Sequence, residues 1–313
     1  MLADRRFAGI AVAVLIAAAL RPFVLPTYET NLAIEVLIFA LLAMSIDLLA
    51  GYAGRTSLGH GAIFGIATYV AIYCATQQGV PALAAFILGV IGATLLAALF
   101  GLLATRTSGV YFLLLTLALG MIVWGVCLRW TTVTGGENGM RGTIRPEFLA
   151  DRAHLYWFTL AITAAAVFLM WRFVHSAFGL TLRGIRDTDS RMRALGYDVS
   201  LHLLLGFTIS GFFAGLAGAL YAFFNDFVSP TAVALPQSVS GLLMAIVGGI
   251  GTLFGGLIGS ALLVLLRDVV SSYTERWQSV LGLTFILIMI LLPEGIIGGL
   301  RRLTARRTKG VQT

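Results

Sequence analysis

The chain has 313 residues, of which 59% are hydrophobic and only 11% are charged, and its formal net charge is +7. Soluble domains carry roughly 25% charged residues, so this composition excludes a water-soluble protein and predicts a polytopic membrane protein. In that setting the positive charge is typical of the excess of basic residues on the cytoplasmic side of a membrane rather than of nucleic-acid binding.

Apolar runs long enough to cross a bilayer, which takes about 20 residues, follow one another along the chain. They lie at about 7–25, 31–50, 57–76, 81–104, 109–130, 153–174 and 201–224, and further apolar residues fill 237–298. The first run resembles a secretory signal, but Arg21 and Pro22 directly after it do not fit a cleavage site. We therefore expect an uncleaved first span and a single transmembrane domain over residues 1–313.

The placement of arginine predicts the topology, because basic residues collect on the cytoplasmic side. Arg5 and Arg6 put the N-terminus in the cytoplasm, and six crossings return the arginine-rich segment at about 175–200 to the same side. A basic tail requires a cytoplasmic C-terminus as well, through Arg301, Arg302, Arg306, Arg307 and Lys309. The one sizeable external loop is then expected at about 131–152.

A glycine-rich run interrupts the last apolar region. The span at 201–224 leads out of the cytoplasm, and the span at 279–298 must lead back in to the basic tail. An even number of crossings must therefore fit between residues 225 and 278. Residues Ser238 to Leu266 would form one helix by hydropathy alone, which gives the wrong parity, but Gly248–Gly256 can break it. We predict an all-α polytopic bundle of about ten membrane segments, with short or broken, crossing or re-entrant elements near 238–270. Broken helices occur where they are buried in protein or line a cavity, so we expect the break near the functional site.

Pairs of glycines four residues apart, which are typical of closely packed membrane helices, recur along the chain. They are Gly61/Gly65, Gly211/Gly215, Gly251/Gly255/Gly259 and Gly295/Gly299. We expect the helices to pack on protein as well as on lipid.

The longest polar interval, at 177–200, predicts a short helix of its own. Asp187 is placed to cap its first free amides, Asp189 lies in the first turn, and Gly196 is a natural left-handed stop. About eight helical residues remain, which is roughly 12 Å. Thr188, Met192 and Leu195 would share one apolar side, and a helix this short needs a surface to lie on.

Motifs of enzymes and metal sites are missing from the sequence. A phosphate-binding loop needs a lysine after a glycine-rich turn, and the only lysine is Lys309 in the tail. The four histidines, His60, His154, His175 and His202, have no zinc-binding spacing. Cys74 and Cys127 lie inside apolar runs, where packing is the simplest role. Nothing in the sequence therefore supports an enzyme or a metal centre.

A few ionisable side chains fall within predicted spans, where they are costly and deserve a functional hypothesis. Asp47 either contributes to a pathway or is a helix-end group that reaches water or satisfies backbone in the turn that follows it. His60, among glycines, either contacts a solute or forms a structural hydrogen bond between helices. Glu35 is expected to be more exposed to water than Asp47. Arg267, Asp268, Glu275 and Arg276 are expected to form a solvated outer turn.

Several segments together resemble the LivM-type permeases, the membrane subunits of bacterial branched-chain amino acid ABC importers. The segments are 47–54 (DLLAGYAG), 57–69 (SLGHGAIFGIATY), 111–118 (YFLLLTLA), 134–139 (TGGENG), 186–196, 212–221 (FFAGLAGALY), 229–230 and 247–252 (VGGIGT). The resemblance covers nearly the whole chain and keeps its order, which makes it more specific than any one motif.

The resemblance implies a transport subunit without enzymatic activity, placed in the bacterial inner membrane with both termini cytoplasmic. The implied partners are a second, LivH-like permease, two ATP-binding subunits that hold ATP and Mg²⁺, and a periplasmic or extracellular substrate-binding protein. This chain would bind no cofactor, and its other surroundings are lipid, not nucleic acid. In this family Asn often stands at the position of Asp47, and the coupling helix often has a Glu and small residues where this chain has Asp189, Arg191 and Met192.

Three groups of site residues follow from the resemblance. The coupling helix to the ATPase would contain Arg186, Asp187, Asp189, Met192, Ala194, Leu195 and Gly196. The pathway or its gate would involve Asp47, His60, Gly61, Gly248, Gly249 and Gly251. The binding protein would dock on Thr134, Gly135, Gly136, Glu137 and Asn138, unless these residues only make a turn.

Two other functional classes remain open from the residues alone. A stand-alone channel or secondary transporter also uses broken helices, but ion coupling usually requires several acids in the membrane, and only Asp47 qualifies. Within the ABC class, the resemblance implies a branched-chain or other hydrophobic amino acid as the solute, with urea, short amides and small organic acids as alternatives.

Overall fold

The structure, a computed structural model, describes residues 26–142, 144–291 and 295–299. The helices in this part of the chain are α1 Thr27–Ala50, α2 His60–Gln77, α3 Ala82–Ala104, α4 Val110–Arg129, α5 Thr131–Thr134, α6 Arg152–Val174, α7 Ala177–Asp187, α8 Asp189–Ala194, α9 Val199–Asn225, α10 Leu235–Gly248, α11 Gly255–Tyr273 and α12 Trp277–Leu291. The strands are β1 Met140–Arg141 and β2 Phe227–Val228. The predicted span at 7–25 and the basic tail after residue 300 lie outside the described residues.

The described chain contains eight segments that are long and apolar enough to cross a membrane. The 18-residue helix α2, about 27 Å long at 1.5 Å per residue, is of similar length but is not among these eight. The prediction of an all-α polytopic membrane protein is therefore confirmed, whereas the count of about ten segments includes the run at 7–25, which lies outside the described residues.

Helix α1 forms the centre of the bundle. Every residue from 38 to 50 is buried, and α1 packs against α6, α9, α10 and α11. Lipid is as apolar as a leucine side chain, so close packing rather than the hydrophobic effect must hold these helices together. A largely buried central helix is the outcome of that packing.

Small residues bring the surrounding helices into close contact, as the glycine spacing predicted. A methyl group added at Gly211 would lie 2.1 Å from the Ala97 side chain, and one at Gly215 would lie 2.6 Å from Ala93. Helix α9 therefore packs on α3 almost backbone to backbone. Gly218 makes the same kind of contact with α2.

The predicted break in the last apolar region is present. Helix α10 ends at Gly248 and α11 begins at Gly255, with a turn at 249–254 between them. Gly249 and Gly251 have positive φ angles of 116° and 80°, which glycine adopts without strain. With 14 residues, α10 is about 21 Å long, shorter than the roughly 30 Å hydrocarbon core. The two-element prediction is correct.

The two ends of the bundle differ in chemistry, and we name them for the features that they carry. The arginine-rich end contains α7 and α8 together with the turn at 249–254. The strand end contains β1 and β2, which pair antiparallel with Met140 opposite Val228. An ion pair between Arg145 and Asp226 fixes the loop after β1 to the end of α9.

The solvated outer turn was predicted wrongly for two of its residues, and the neighbouring prediction for Glu35 was also wrong. Arg267 and Asp268 lie inside α11, which continues to Tyr273. Arg267 forms an ion pair with Glu35 of α1, whose side chain is only 16% exposed, and Asp268 accepts a hydrogen bond from Tyr28. The helix can continue through these charges because each finds a partner on α1.

Replacing Gly218 by alanine tests the packing of α9. The new methyl group would lie 2.0 Å from the carbonyl oxygen of Phe64, and overpacking of this kind costs about 1–3 kcal/mol. We expect a lower midpoint of thermal unfolding in detergent. The control is Gly125→Ala in α4, where no atom lies within 4 Å and alanine is the better helix former. Equal midpoints for Gly218→Ala and the unmodified protein would contradict this packing.

Candidate functional site

The arginine-rich segment contains two helices, where the sequence predicted one. Helix α7 begins after Ser176, whose hydroxyl accepts a hydrogen bond from the Gly179 amide at 3.3 Å. Leu182 and Ile185 on one side of α7 are buried, whereas Arg186 at its end is exposed. An amphipathic helix of this kind lies along the bundle and delivers the following residues to a defined position.

Helix α8 differs from its prediction in its start and its length. Thr188, not Asp187, occupies the N-cap position and has extended backbone angles, and the helix contains six residues rather than eight. The Asp187 carboxylate instead lies 3.3 Å from the Arg186 guanidinium. The predicted stop is correct, because Gly196 has a φ angle of +88°.

The predicted apolar side of α8 is divided between two surfaces. Met192 is 9% exposed, and its sulfur packs on Gly184 of α7, where an added methyl group would lie only 2.7 Å away. Leu195 is 67% exposed, and Ala194 and Arg191 are also exposed. Met192 therefore packs α8 against α7, whereas Leu195 remains exposed.

Three arginines connect this segment to the loop at 51–59, between α1 and α2. The Arg186 guanidinium donates to the carbonyl oxygen of Gly51 at 2.7 Å. Arg55 forms an ion pair with Asp189 of α8. The Arg183 guanidinium lies 5.1 Å from the centre of the Tyr52 ring, within range of a cation–π contact.

Asp47 has a role in the structure that neither sequence interpretation described. Its side chain is fully buried, and its two oxygens accept hydrogen bonds from the Gly251 amide at 2.6 Å and the Leu253 amide at 3.0 Å. A buried carboxylate is costly unless it is hydrogen-bonded, and bonds from amides to a charged oxygen are strong ones. Asp47 therefore fixes the turn at 249–254 against the end of α1, although 204 residues separate it from Gly251 in the chain.

Two groups of predicted residues thus meet in one place. A methyl group added at Gly51 would lie 2.5 Å from both the Asp47 carboxylate and the Gly251 amide nitrogen. Arg186, predicted for the coupling helix, contacts Gly51, while Asp47 and Gly251, predicted for the pathway, contact each other. We call these residues with Leu253 the Asp47 cluster. The predicted glycines Gly248 and Gly249 lead into it from α10.

His60 and Gly61 form structural links near the middle of the bundle. The His60 Nε2 atom lies 2.7 Å from the Ser210 hydroxyl, which donates to the carbonyl oxygen of Ser45 at 2.6 Å. The Gly61 amide donates to the Ser238 hydroxyl at 2.8 Å. His60 is fully buried, so its position agrees with the structural interpretation of the sequence.

Two irregular segments reach the same depth, and sequence reasoning missed both. Residues 229–234 lie along α2 as far as Gly65, where an added methyl group would meet Val233 at 2.5 Å. Gly65 lies 11 residues from Thr76 at the strand end, or about 16 Å along the helix. The loop at 51–59 enters the bundle from the arginine-rich end, and its Leu58 amide donates to the Thr116 hydroxyl of α4 at 3.1 Å.

A shallow depression lies where these segments meet α4 and the start of α10. It is lined by Leu58, Leu117, Gly120, Met121, Val233, Leu235 and Ser238, and about half of its exposed surface is polar. Irregular backbone at membrane depth is tolerated only when protein or a wet cavity adjoins it. The nearby prolines Pro230 and Pro236 were the available sequence signal, since proline marks interruptions of helices.

The predicted docking loop at the strand end separates into inner and outer residues. Thr134 is buried and donates to the carbonyl oxygens of Cys127 and Trp130 at 2.6 and 2.8 Å. Gly135 and Gly136 have positive φ angles and form the turn. Glu137 and Asn138 are exposed at its tip, so only these two can meet a partner directly. Among the described residues, no group of three or more His, Cys, Asp or Glu side chains is arranged to hold a metal ion.

Comparison with known proteins gives consistent matches over most of the chain. Residues 29–292 match the protein family described as "Branched-chain amino acid transport system / permease component". The high-affinity branched-chain amino acid transport system permease protein LivM of Salmonella typhimurium is 26% identical, over 96% of this chain and 78% of its own. The LivH permease protein from the same organism is 23% identical, over 83% of this chain and 91% of its own. A solved structure, PsaBC from Streptococcus pneumoniae in complex with Fab, is similar with a TM-score of 0.46 and 18% identity, over 90% of this chain and 94% of that chain.

Hydrogen exchange tests the role of Asp47 directly. In Asp47→Ala, the amides of Gly251 and Leu253 lose their acceptor, which costs about 1–3 kcal/mol for a buried group. We expect their exchange to rise by roughly tenfold or more, with no change at the strand end. The matched control is Asp226→Ala, which removes the acceptor of the Ile144 amide and should leave residues 249–254 protected. Unchanged exchange at Gly251 in Asp47→Ala would show that another group holds the turn.

Proposed function

The chain belongs to the family of branched-chain amino acid transport permease components, and on that premise we propose that it forms half of the pathway of an ATP-driven importer. It is a membrane subunit of an ABC transporter rather than an enzyme, and ATP hydrolysis takes place in partner subunits. The observation that carries the proposal is the Asp47 cluster. In this cluster the arginine-rich segment contacts the turn that interrupts a membrane helix. An ABC permease requires such a contact, because the ATPase that drives it binds at the surface of the membrane.

The partner ATPase is proposed to bind the exposed face of α8. Leu195 supplies the apolar contact, and Arg191 and Arg193 beside it are exposed. Asp189 and Met192 are already held within this subunit and are not available to a groove. We infer that the groove has an apolar site for Leu195 and acidic side chains around it, because opposite charges attract and orient the two surfaces.

The second permease subunit is proposed to cover the depression beside α4. The parts of 51–59 and 229–234 that this chain does not itself bury cannot face lipid at this depth, so another protein surface or water is expected beside them. A homologous, LivH-like subunit supplies such a surface, and the solute would then pass between the two subunits. Gly120 and the exposed Met121 of α4 would lie at that boundary.

The strand end is proposed to receive a periplasmic or extracellular substrate-binding protein. Glu137 and Asn138 project from a turn that the buried Thr134 and the pairing of β1 with β2 hold in place. This orientation puts the arginine-rich end in the cytoplasm, in agreement with the excess of basic residues there. The membrane is the bacterial plasma membrane, with both termini on its cytoplasmic side.

A branched-chain or other hydrophobic amino acid is the proposed solute. What supports this choice is the family, described as a branched-chain amino acid transport permease component, and the LivM and LivH relatives, which carry the same solute class in their names. A stand-alone carrier fits less well, because Glu35 and Asp47 are both engaged within the subunit.

Replacing Leu195 by aspartate tests the docking of the ATPase. Burying a leucine contributes about 1.5–3 kcal/mol, so its loss should weaken binding by roughly tenfold or more. We expect ATP-driven uptake in proteoliposomes to fall while the permease remains folded by gel filtration. The control, Ser200→Asp, adds the same charge at an exposed position in the first turn of α9, where an acid is tolerated. Normal uptake by Leu195→Asp with the ATPase bound would contradict the proposal.

The solute is tested with the separate binding protein and the assembled transporter. Titration calorimetry should detect leucine, isoleucine or valine binding to the partner, and the same compounds should be taken up in an ATP-dependent manner. Urea and acetamide serve as the alternative solutes. Uptake of either of these in preference to the branched-chain amino acids would exclude the proposed substrate class while leaving the ABC mechanism intact.

A further inference from the structure

Arg186 occupies a position between three parts of the chain that are far apart in sequence. It belongs to the last turn of α7, and its guanidinium donates to the carbonyl oxygen of Gly51 at 2.7 Å. A methyl group added at Gly251 would lie 3.9 Å from the same guanidinium. The aliphatic part of the side chain lies across Gly54, where an added methyl group would meet its Cγ at 2.6 Å.

The contact with Gly51 satisfies a carbonyl that the helix leaves without a partner. Gly51 follows the last residue of α1, and the last carbonyl groups of a helix receive no hydrogen bond from an amide of the same helix. A guanidinium at this end also interacts favourably with the negative end of the helix dipole. Arg186 is therefore a cap of α1 supplied by α7, rather than a surface arginine of a solvated loop.

The loop at 51–55 has little freedom to move away from the arginine-rich segment. Arg55 is paired with Asp189, and the buried Tyr52 carries Arg183 on its ring face. Along with the Arg186 bond, these contacts attach the loop to α7 and α8 at three points. A joint displacement of α7 and α8 would have to break all three before the loop could stay behind.

The turn at 249–254 has equally little freedom to move away from the loop. Gly51 and Gly251 pack so closely that a methyl group on Gly51 would lie 2.6 Å from the Gly251 Cα atom. Asp47, four residues before Gly51, holds two amides of the turn. The turn, the loop and the end of α1 are thus in direct backbone contact.

We propose that Arg186 is a positioning residue for transport, through which a displacement of the ATPase-bound helix α8 reaches the turn between α10 and α11. The inference rests on the proposed function, because it requires an ATPase on α8. It adds the specific route: from α8 through Arg186 and Gly51 to Gly251, and from there to α10, whose first turns line the depression. Without Arg186, the arginine-rich segment loses its direct contact with Gly51, the residue that packs on Gly251, and its attachment to the turn is weakened.

The test follows the turn itself in the complete transporter. Ile250 is 44% exposed and serves as the reporter site, as Ile250→Cys in a protein whose Cys74 and Cys127 are replaced by alanine. The rate of labelling by a polar maleimide is measured with and without a non-hydrolysable ATP analogue. We expect the analogue to change the rate in this reference protein and to change it by clearly less once Arg186→Gln is added.

Arg172→Gln is the matched control. Arg172 is an exposed arginine in the last turn of α6, at the arginine-rich end of the bundle, and it lies outside the Asp47 cluster. It should keep the nucleotide effect. Asp47→Ala is the second variant in case Arg186→Gln does not assemble. It removes both acceptors of the turn at 249–254 and should also reduce the nucleotide effect.

The outcomes separate this inference from the proposed function. A reference protein without ATP-dependent uptake would overturn both. A reference protein that transports, together with an assembled Arg186→Gln or Asp47→Ala protein that keeps the full nucleotide effect, would overturn this inference alone. A reduced effect in Arg186→Gln with the ATPase still bound, and the full effect in Arg172→Gln, would establish the route.

Discussion

A buried carboxylate sets the arrangement of the arginine-rich end. Asp47 has no exposure and is satisfied by the amides of Gly251 and Leu253, so the turn at 249–254 must lie against α1. Moving the turn away would leave a desolvated carboxylate without donors, which is far more costly than losing an ordinary packing contact. The close approach of Gly51 follows from this constraint, and so does the position of α10 along the centre of the bundle.

The same constraint explains how a short surface helix can act on a membrane pathway. Helix α8 is fixed inward through Met192 and Asp189 and leaves Leu195 exposed for a partner. Its internal contacts lead to the loop at 51–59, which continues to the depression at Leu58, and to the turn that begins α11. The proposed coupling therefore does not need a long series of side-chain contacts. Only the loop at 51–59 and the turn at 249–254 lie between the proposed partner surface and the helices beside the depression.

The sequence predicted most of the fold, since its main determinants are local. Apolar runs indicated the spans, and the placement of arginine indicated that an even number of crossings lies between residues 225 and 278. The glycines at 248–256 indicated where the last apolar region breaks. Long-range pairing was not accessible: nothing near Asp47 indicates that its partners are amides 204 residues away. For the same reason Glu35 and Arg267 were assigned to solvent although they pair across two helices. Asp187 fitted the general preference for a capping acid, but Arg186 beside it competes for its carboxylate, and the helix starts one residue later.

The most direct measurement is a pair of structures of the assembled transporter, with and without bound nucleotide. We expect α8, the loop at 51–55 and the turn at 249–254 to shift together, with the hydrogen bonds from Arg186 to Gly51 and from Gly251 to Asp47 intact in both states. The depression beside Leu58 and Ser238 should change its shape between them. A transporter in which α8 moves while the turn keeps its place, with the Arg186 bond broken and uptake normal, would contradict the central role of the Asp47 cluster.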